Sequence, residues 1–373
     1  MKVIRMKYGR KVLTGIPKTV HGGQAWKIEG IEDYSHNLNP FGPPEDLPEI
    51  IATAIDGIGH YPDDNCTELK AVLSKVFSLK EENITIGAGS SEIIRNFPNA
   101  FIETGEKAVI NRPSFAEYSQ QCRLVGADIL FNELTEEDDF RINGKILSNN
   151  MKNAKALYIC NPNNPTGRIE PRKKIIEIVK ECRDNGVLVF LDETLLELVP
   201  DHEKISCSKY VNEFDNLVIA GSLTKSFAIP GIRIGYGMAS PQLIEQMDKI
   251  RMTWNVGQIE QNVASILMKD HIDHVTKAAA VMAKESKRMH SDLKKTGFPI
   301  GKVSDSFFYF CSLKKLNIKC SEFQKLMLKE KIMVRDCASF GERFDQYVRF
   351  SVKDKERNDM FVNAVEKTIK QLE

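Results

Sequence analysis

An α/β fold, with a large domain on a mostly parallel sheet and a smaller α+β domain, is predicted for this chain by three observations. Short, continuously apolar runs alternate with helical patterns between about residues 83 and 237, as strands covered on both faces do. Beyond Pro241 the pattern turns largely helical, then ends in short strands mixed with helices. The length, 373 residues, is comfortable for two domains.

The elements follow in order. Residues 1–11 carry Lys2, Arg5, Lys7, Arg10 and Lys11 without the apolar core of a signal peptide, so they read as a solvated arm. Residues 83–87, 108–111, 156–160, 187–191, 217–220 and 232–236 read as strands. The acidic run Glu136-Glu137-Asp138-Asp139 reads as a solvated loop. Ile175, Ile176, Ile178, Val179 and Cys182 form one apolar stripe, with Pro171 near its start and Gly186 at its end, so a helix is expected there. The helical pattern after Pro241 reaches about Lys295. Strands are then expected at 307–311, 332–335 and 347–352, and helices around 323–329 and 357–372. The expected division is an N-terminal segment, 1–48, that joins the small domain, then a large domain, 49–260, and a small one, 261–373.

Composition narrows the partners. A net charge of +1 offers no field that would recruit nucleic acid or an anionic membrane. No stretch nears the roughly 18 apolar residues of a membrane span. The eight cysteines include no C-x-x-C pair and two lie inside apolar patterns, so they read as reduced thiols of a cytoplasmic protein. His271 and His274 lie three apart on an expected helix, without further ligands, and no metal site is expected.

The polar residues that stand out fall at strand ends, where open α/β sheets bind ligands. Lys225 follows the strand at 217–220, with Ser222 before it and Pro230-Gly231-x-Arg233 after it. Asp192 closes the strand at 187–191, whose apolar run would bury it; a buried acid needs a partner. Gly89-Ser90-Ser91 opens a helix and offers amides and hydroxyls to a phosphate. Asn164 lies in Asn161-Pro162-Asn163-Asn164-Pro165-Thr166-Gly167, and Phe115 could lie flat on an aromatic ring. A lysine that can capture an aldehyde, an arginine for a phosphate and a carboxylate for a ring nitrogen are what pyridoxal 5'-phosphate needs from a protein. Each residue has a plainer use: a surface lysine, a helix cap at Asp192, a turn at Asn164, core packing at Phe115. Four strand ends converging on one chemistry favour the cofactor.

Those motifs resemble the fold-type I pyridoxal-phosphate enzymes over nearly the whole chain. Within them the chain is similar to the branch that holds histidinol-phosphate aminotransferase and L-threonine-O-3-phosphate decarboxylase. Asn161 to Gly167, Leu191-Asp192-Glu193 and the segment from Ser222 to Arg233 carry that likeness. His21-Gly22-Gly23, the run from Asp33 to Gly42 and Trp254-Asn255-Val256 resemble the decarboxylase. Val334-Arg335-Asp336-Cys337 resembles the aminotransferase.

The resemblance implies roles. His21, Gly22, Asn37, Asn164, Arg335 and Arg349 would contact a small phosphorylated amino-acid substrate. Arg349 would take its carboxylate; Arg335 and His21 would favour its phosphate. Gly89, Ser90, Ser91, Ser222 and Arg233 would hold the cofactor phosphate. Asn164 would hydrogen-bond the cofactor's phenolic oxygen. Tyr61 in His60-Tyr61-Pro62 would reach that phosphate from the other subunit of a homodimer with shared sites. Leu195 stands where relatives often carry Tyr or Phe, so the resemblance does not place it in the site. The implied reaction is decarboxylation of L-threonine O-3-phosphate to (R)-1-aminopropan-2-ol O-2-phosphate, for the side chain of cobalamin. The alternative is aminotransfer from histidinol phosphate to 2-oxoglutarate, which the same residues would serve. A third reading, a non-catalytic cofactor-binding paralogue, is opposed by the intact Lys225 and Asp192.

Overall fold

The computed structural model describes residues 9–16 and 25–372. Its main sheet has seven strands in the spatial order Ile84–Gly87, Gly235–Ala239, Leu217–Ser222, Leu188–Asp192, Ala154–Cys160, Lys107–Arg112 and Asp128–Glu133. Gly235–Ala239 runs antiparallel to both its neighbours, and every other pairing is parallel.

The period of two along each strand sorts side chains onto two faces. Val109, Leu157, Ile159, Val189, Leu191, Leu217 and Ile219 face one apolar core. Helices Thr67–Phe77, Arg172–Asp184 and Gln258–Asp270 cover that core through Leu69, Leu73, Ile175, Val179, Val263 and Leu267. Ala108, Ile110, Ala156, Tyr158, Phe190, Val218 and Ala220 face the other core. There Ser90–Phe101, Ala116–Val125 and Pro241–Ile250 supply Ile93, Phe97, Tyr118, Cys122 and Met247. Burial on both faces is why these strands are almost continuously apolar.

A second sheet sets Arg335–Asp336, Tyr347–Ser351 and Phe308–Ser312 side by side, all antiparallel. Its core takes Phe323, Met327, Phe361 and Val365 from helices Cys320–Lys329 and Lys355–Lys370. Glu32–Asp33 pairs in parallel with Ile332–Met333, and the next residue, Tyr34, is fully buried in the same core. The long helix Ile272–Lys295 crosses between the two bodies. Val275, Ala278 and Met282 belong to the main sheet's core, whereas Met289 and Leu293 belong to the smaller one. The change of core therefore falls inside this helix.

Two strands of the main sheet depart from the sequence pattern. The strand expected at 232–236 is Gly235–Ala239, because the chain is still turning at Arg233, whose φ is +50°. Asp128–Glu133 was not expected; it is an edge strand with one neighbour, and its polar ends hide the apolar middle. All eight cysteines are free and buried. No helix among the described residues is long and apolar enough to cross a membrane.

Candidate active site

Strand Leu217–Ser222 delivers the central lysine. The Ser222 hydroxyl accepts from the Thr224 amide at 3.2 Å and so caps the short helix Leu223–Ser226. That turn projects Lys225 into a cleft of about 280 Å³ beyond the carboxyl ends of the parallel strands. Burial, reinforced by the nearby charges of Arg349 and Arg233, pulls the Lys225 amine down to about 8. From the other side the segment around Asn37 docks on the same turn. The Asn39 amide donates to the Lys225 carbonyl at 2.9 Å, and its side-chain amide donates to the Ser226 carbonyl at 2.9 Å. This docking brings His36 and Asn37 into the cleft wall.

Asp192 ends the neighbouring strand and is 3% exposed. Tyr118 donates to its Oδ2 at 2.5 Å, and the Thr194 amide donates to its Oδ1 at 2.9 Å. Burial pushes the carboxyl up, and those hydrogen bonds hold it back. The result is a buried acid with fixed orientation, suited to a protonated ring nitrogen. Phe115 lines the cleft beside it, edge-on to Tyr118 with 5.7 Å between ring centres.

At one end of the cleft, Ser90 and Ser91 begin the helix Ser90–Phe101 and face Arg233 and Ser222. Two glycines make this possible. A Cβ on Gly89, whose φ is +78°, would lie 2.4 Å from an Arg233 guanidinium nitrogen. A Cβ on Gly235 would lie 2.3 Å from the Ser90 amide nitrogen. Helix amides, hydroxyls and a guanidinium brought together in this way suit a phosphate.

The opposite end belongs to the smaller body. Arg335 and Arg349 sit directly across from each other on an antiparallel ladder, so both point to the same face and both line the cleft. Arg349 is 6% exposed. It donates to the Asn164 side-chain oxygen at 2.5 Å and to the Ser35 carbonyl, and its Nε has no partner among the described residues. Desolvation pushes its guanidinium down to about 10. Arg335 donates to the Ser339 hydroxyl at 2.8 Å and lies 5.7 Å from the Phe340 ring centre. Among the described lining residues, Lys225, Arg233, Arg335 and Arg349 stand against the one carboxylate of Asp192. Like charges placed opposite each other destabilise a ladder, so this arrangement fits a site for anions.

The structure thus gathers Asn37, Ser90, Ser91, Phe115, Asn164, Asp192, Ser222, Lys225, Arg233, Arg335 and Arg349 around one cleft, with Gly89 behind Arg233. His21 and Gly22 lie outside the described residues. Tyr61 is not in this cleft; it is 73% exposed and stacks on Trp254 at 4.2 Å. His271 and His274 are engaged elsewhere: one imidazole nitrogen lies 3.3 Å from Asp46, the other 2.9 Å from the Gly42 carbonyl. Sequence reasoning missed Tyr118, His36, Thr194 and Leu195, all of which line the cleft. His36 sits 3.9 Å from an Asp33 oxygen, and burial pushes its imidazole down to about 4. Tyr118 lies in the first turn of the helix Ala116–Val125, which follows Phe115, and its burial under the sheet left no local signal for its place in the site.

These residues fit pyridoxal phosphate on three observations: a buried amine far below its ordinary pKa, a guanidinium seated where only glycine leaves room, and a buried, oriented carboxylate. Comparisons with known proteins agree. Residues 33–365 match the family described as aminotransferase class I and II. A protein of Caldanaerobacter subterraneus subsp. tengcongensis named "Putative threonine-phosphate decarboxylase" is 31% identical over 329 residues, covering 88% of each chain. The crystal structure of the histidinol-phosphate aminotransferase from Clostridium acetobutylicum is similar with a TM-score of 0.83 and 30% identity, covering 91% of this chain and 99% of that one. A histidinol-phosphate aminotransferase from Sinorhizobium meliloti, solved in complex with pyridoxal-5'-phosphate, shares the fold at a TM-score of 0.85, with 20% identity and 99% of each chain covered.

Proposed function

The chain belongs to the aminotransferase class I and II family, whose cofactor is pyridoxal phosphate, and from that footing we propose that it decarboxylates L-threonine O-3-phosphate to 1-aminopropan-2-ol O-2-phosphate. One observation carries the reading: Arg335 and Arg349 stand side by side at the substrate end of the cleft. A substrate with a carboxylate and a phosphate on adjacent carbons neutralises both. L-Threonine O-3-phosphate has both groups in one small molecule. Histidinol phosphate has only the phosphate, and in aminotransfer the carboxylate would come from the second substrate.

Bound pyridoxal phosphate supplies an electron-accepting ring for a bond broken at the substrate α-carbon. The protein's residues do the rest. Ser90, Ser91, Ser222 and Arg233 hold the cofactor phosphate, and Phe115 covers a ring face. Asn164 is placed for the phenolic oxygen. Asp192 keeps a proton on the ring nitrogen, and Tyr118 holds Asp192 in place. Lys225 would be the residue that bears the cofactor aldehyde. Arg349 would orient the substrate carboxylate, and Arg335 would hold the substrate phosphate. Lys225, its amine pulled down to about 8, would return a proton to the α-carbon. Asn37, whose buried Oδ1 has no partner among the described residues, is placed to accept from the substrate amine.

The second reading is aminotransfer, supported by the Val334-Arg335-Asp336-Cys337 motif and by relatives of that name at similar identity. There Lys225 would carry the proton from the α-carbon. We also infer a cytoplasmic homodimer. Ile58, Tyr61, Met252 and Trp254 are all more than half or nearly half exposed, at 62, 73, 64 and 47%, which suits a surface covered by a second copy.

The test is a pair of assays on cofactor-loaded protein. Carbon dioxide released from L-threonine O-3-phosphate with no keto acid present supports the proposal. Glutamate formed from histidinol phosphate and 2-oxoglutarate, with no carbon dioxide from the phosphothreonine, would replace it with the second reading.

A further inference from the structure

Asn255 does not line the cleft, yet its side chain is tied to the phosphate cradle from behind. The cradle has an electrostatic problem. Glu92 lies in the first turn of the helix that presents Ser90 and Ser91. A carboxylate there suits the helix dipole, but it repels a phosphate dianion at the same helix end. The structure holds it back. Glu92 Oε2 accepts from the Ala88 amide at 2.6 Å and from Asn255 Nδ2 at 2.8 Å. Both bonds lie on the side of the loop that precedes Ser90.

Asn255 is itself fully committed. Its Nδ2 also donates to the Ile86 carbonyl at 3.1 Å, inside the strand that leads into the loop. Its Oδ1 accepts from Arg251 Nη1 at 2.8 Å. Arg251 in turn donates to the two oxygens of Asp64 at 3.3 and 3.2 Å, and Asp64 also accepts from the Trp254 amide at 2.6 Å. Two donor bonds and one acceptor bond fix which way the Asn255 amide points. The strand end, the loop and the acid are therefore pinned to one side chain.

We propose that Asn255 is a positioning residue for the cofactor phosphate: it holds the Glu92 carboxylate back against the loop, leaving the amides and hydroxyls of Ser90 and Ser91 to the phosphate. The inference rests on the identity of the cofactor, not on which reaction follows. Its test therefore stays valid whether phosphothreonine is decarboxylated or not.

The experiment uses cofactor-free protein and two probes, pyridoxal phosphate and pyridoxal, which differ only in the phosphate. Dissociation constants come from the absorbance change on binding. Asn255→Ala should weaken pyridoxal phosphate about tenfold or more, the effect expected for a half-buried carboxylate freed beside the phosphate, and leave pyridoxal unchanged. In a Glu92→Gln background, where no charge needs holding, the same substitution should cost much less, since the two sites act as one unit. Equal weakening of both probes would make Asn255 merely structural and overturn the proposal. So would an undiminished loss in the Glu92→Gln background. If Asn255→Ala does not fold, Arg251→Lys removes the bond to Asn255 Oδ1 while keeping the charge near Asp64. It is read by the same ratio of the two constants, with the same outcomes.

Discussion

Replacing Arg349 with glutamine should move the pH dependence of cofactor capture to higher pH. An amine must be neutral to attack an aldehyde. Lys225 is pulled from 10.5 to about 8, first by burial, then by Arg349, then by Arg233. At pH 7 that leaves about a tenth of the amine neutral, against about three parts in ten thousand for an unshifted lysine. The gain in reactive form is roughly three hundredfold. Below its pKa the amine is mostly charged, so the capture rate falls as pH falls and levels off above about 8. A glutamine in place of Arg349 would keep much of the side chain's polarity but remove its charge, so the pKa should climb back toward 10.5. A climb of about one in pKa costs about tenfold in rate at neutral pH. The assay is stopped-flow absorbance of cofactor-free protein mixed with pyridoxal across a pH series. Pyridoxal lacks the phosphate and isolates the amine from the cradle. A wild-type midpoint at the ordinary lysine value, or an unmoved or lower midpoint in Arg349→Gln, would refute the reasoning.

Other perturbations separate the two ends of the cleft. Arg335→Gln should raise KM for the phosphorylated substrate about tenfold to a hundredfold, the range for a lost charge-assisted contact, while cofactor affinity stays constant; steady-state kinetics and a binding titration check it. Asp192→Asn should retain the cofactor but lower kcat by about a hundredfold or more, as loss of a preorganised electrostatic contact does; single-turnover measurements separate this from slow product release. Gly235→Ala would press a methyl to 2.3 Å from the Ser90 amide nitrogen. Backbone must then shift, at a cost of about 1–3 kcal/mol, and pyridoxal phosphate affinity should fall, which the same titration measures.

Much of the site was legible because strand ends are. Val187 to Leu191 is so apolar that an acid directly after it had to be buried at the end of a covered strand, and Asp192 is. Ser222, Lys225 and Arg233 lie close in sequence, so their spacing carried the geometry. Tyr118 and His36 were hidden for a different reason. Each reaches the cleft through tertiary docking: Tyr118 from a helix packed under the sheet, and His36 through the bonds Asn39 makes to the Lys225 turn. No local pattern records such contacts. Leu195 lies against the site although its side chain can donate nothing to it. The edge strand Asp128–Glu133 was obscured because a single neighbour blurs the period that betrays an element, whereas the helical pattern reaching Lys295 was legible and only its division between two cores was not.

The central claim is that Lys225 in this cleft bears the cofactor. Borohydride reduction of the cofactor-loaded protein, followed by peptide mass spectrometry, tests it directly. A single pyridoxyl-phosphate adduct on the peptide containing Lys225, absent from Lys225→Ala, is the result predicted. An adduct on another lysine, or the same labelling in Lys225→Ala, would contradict it.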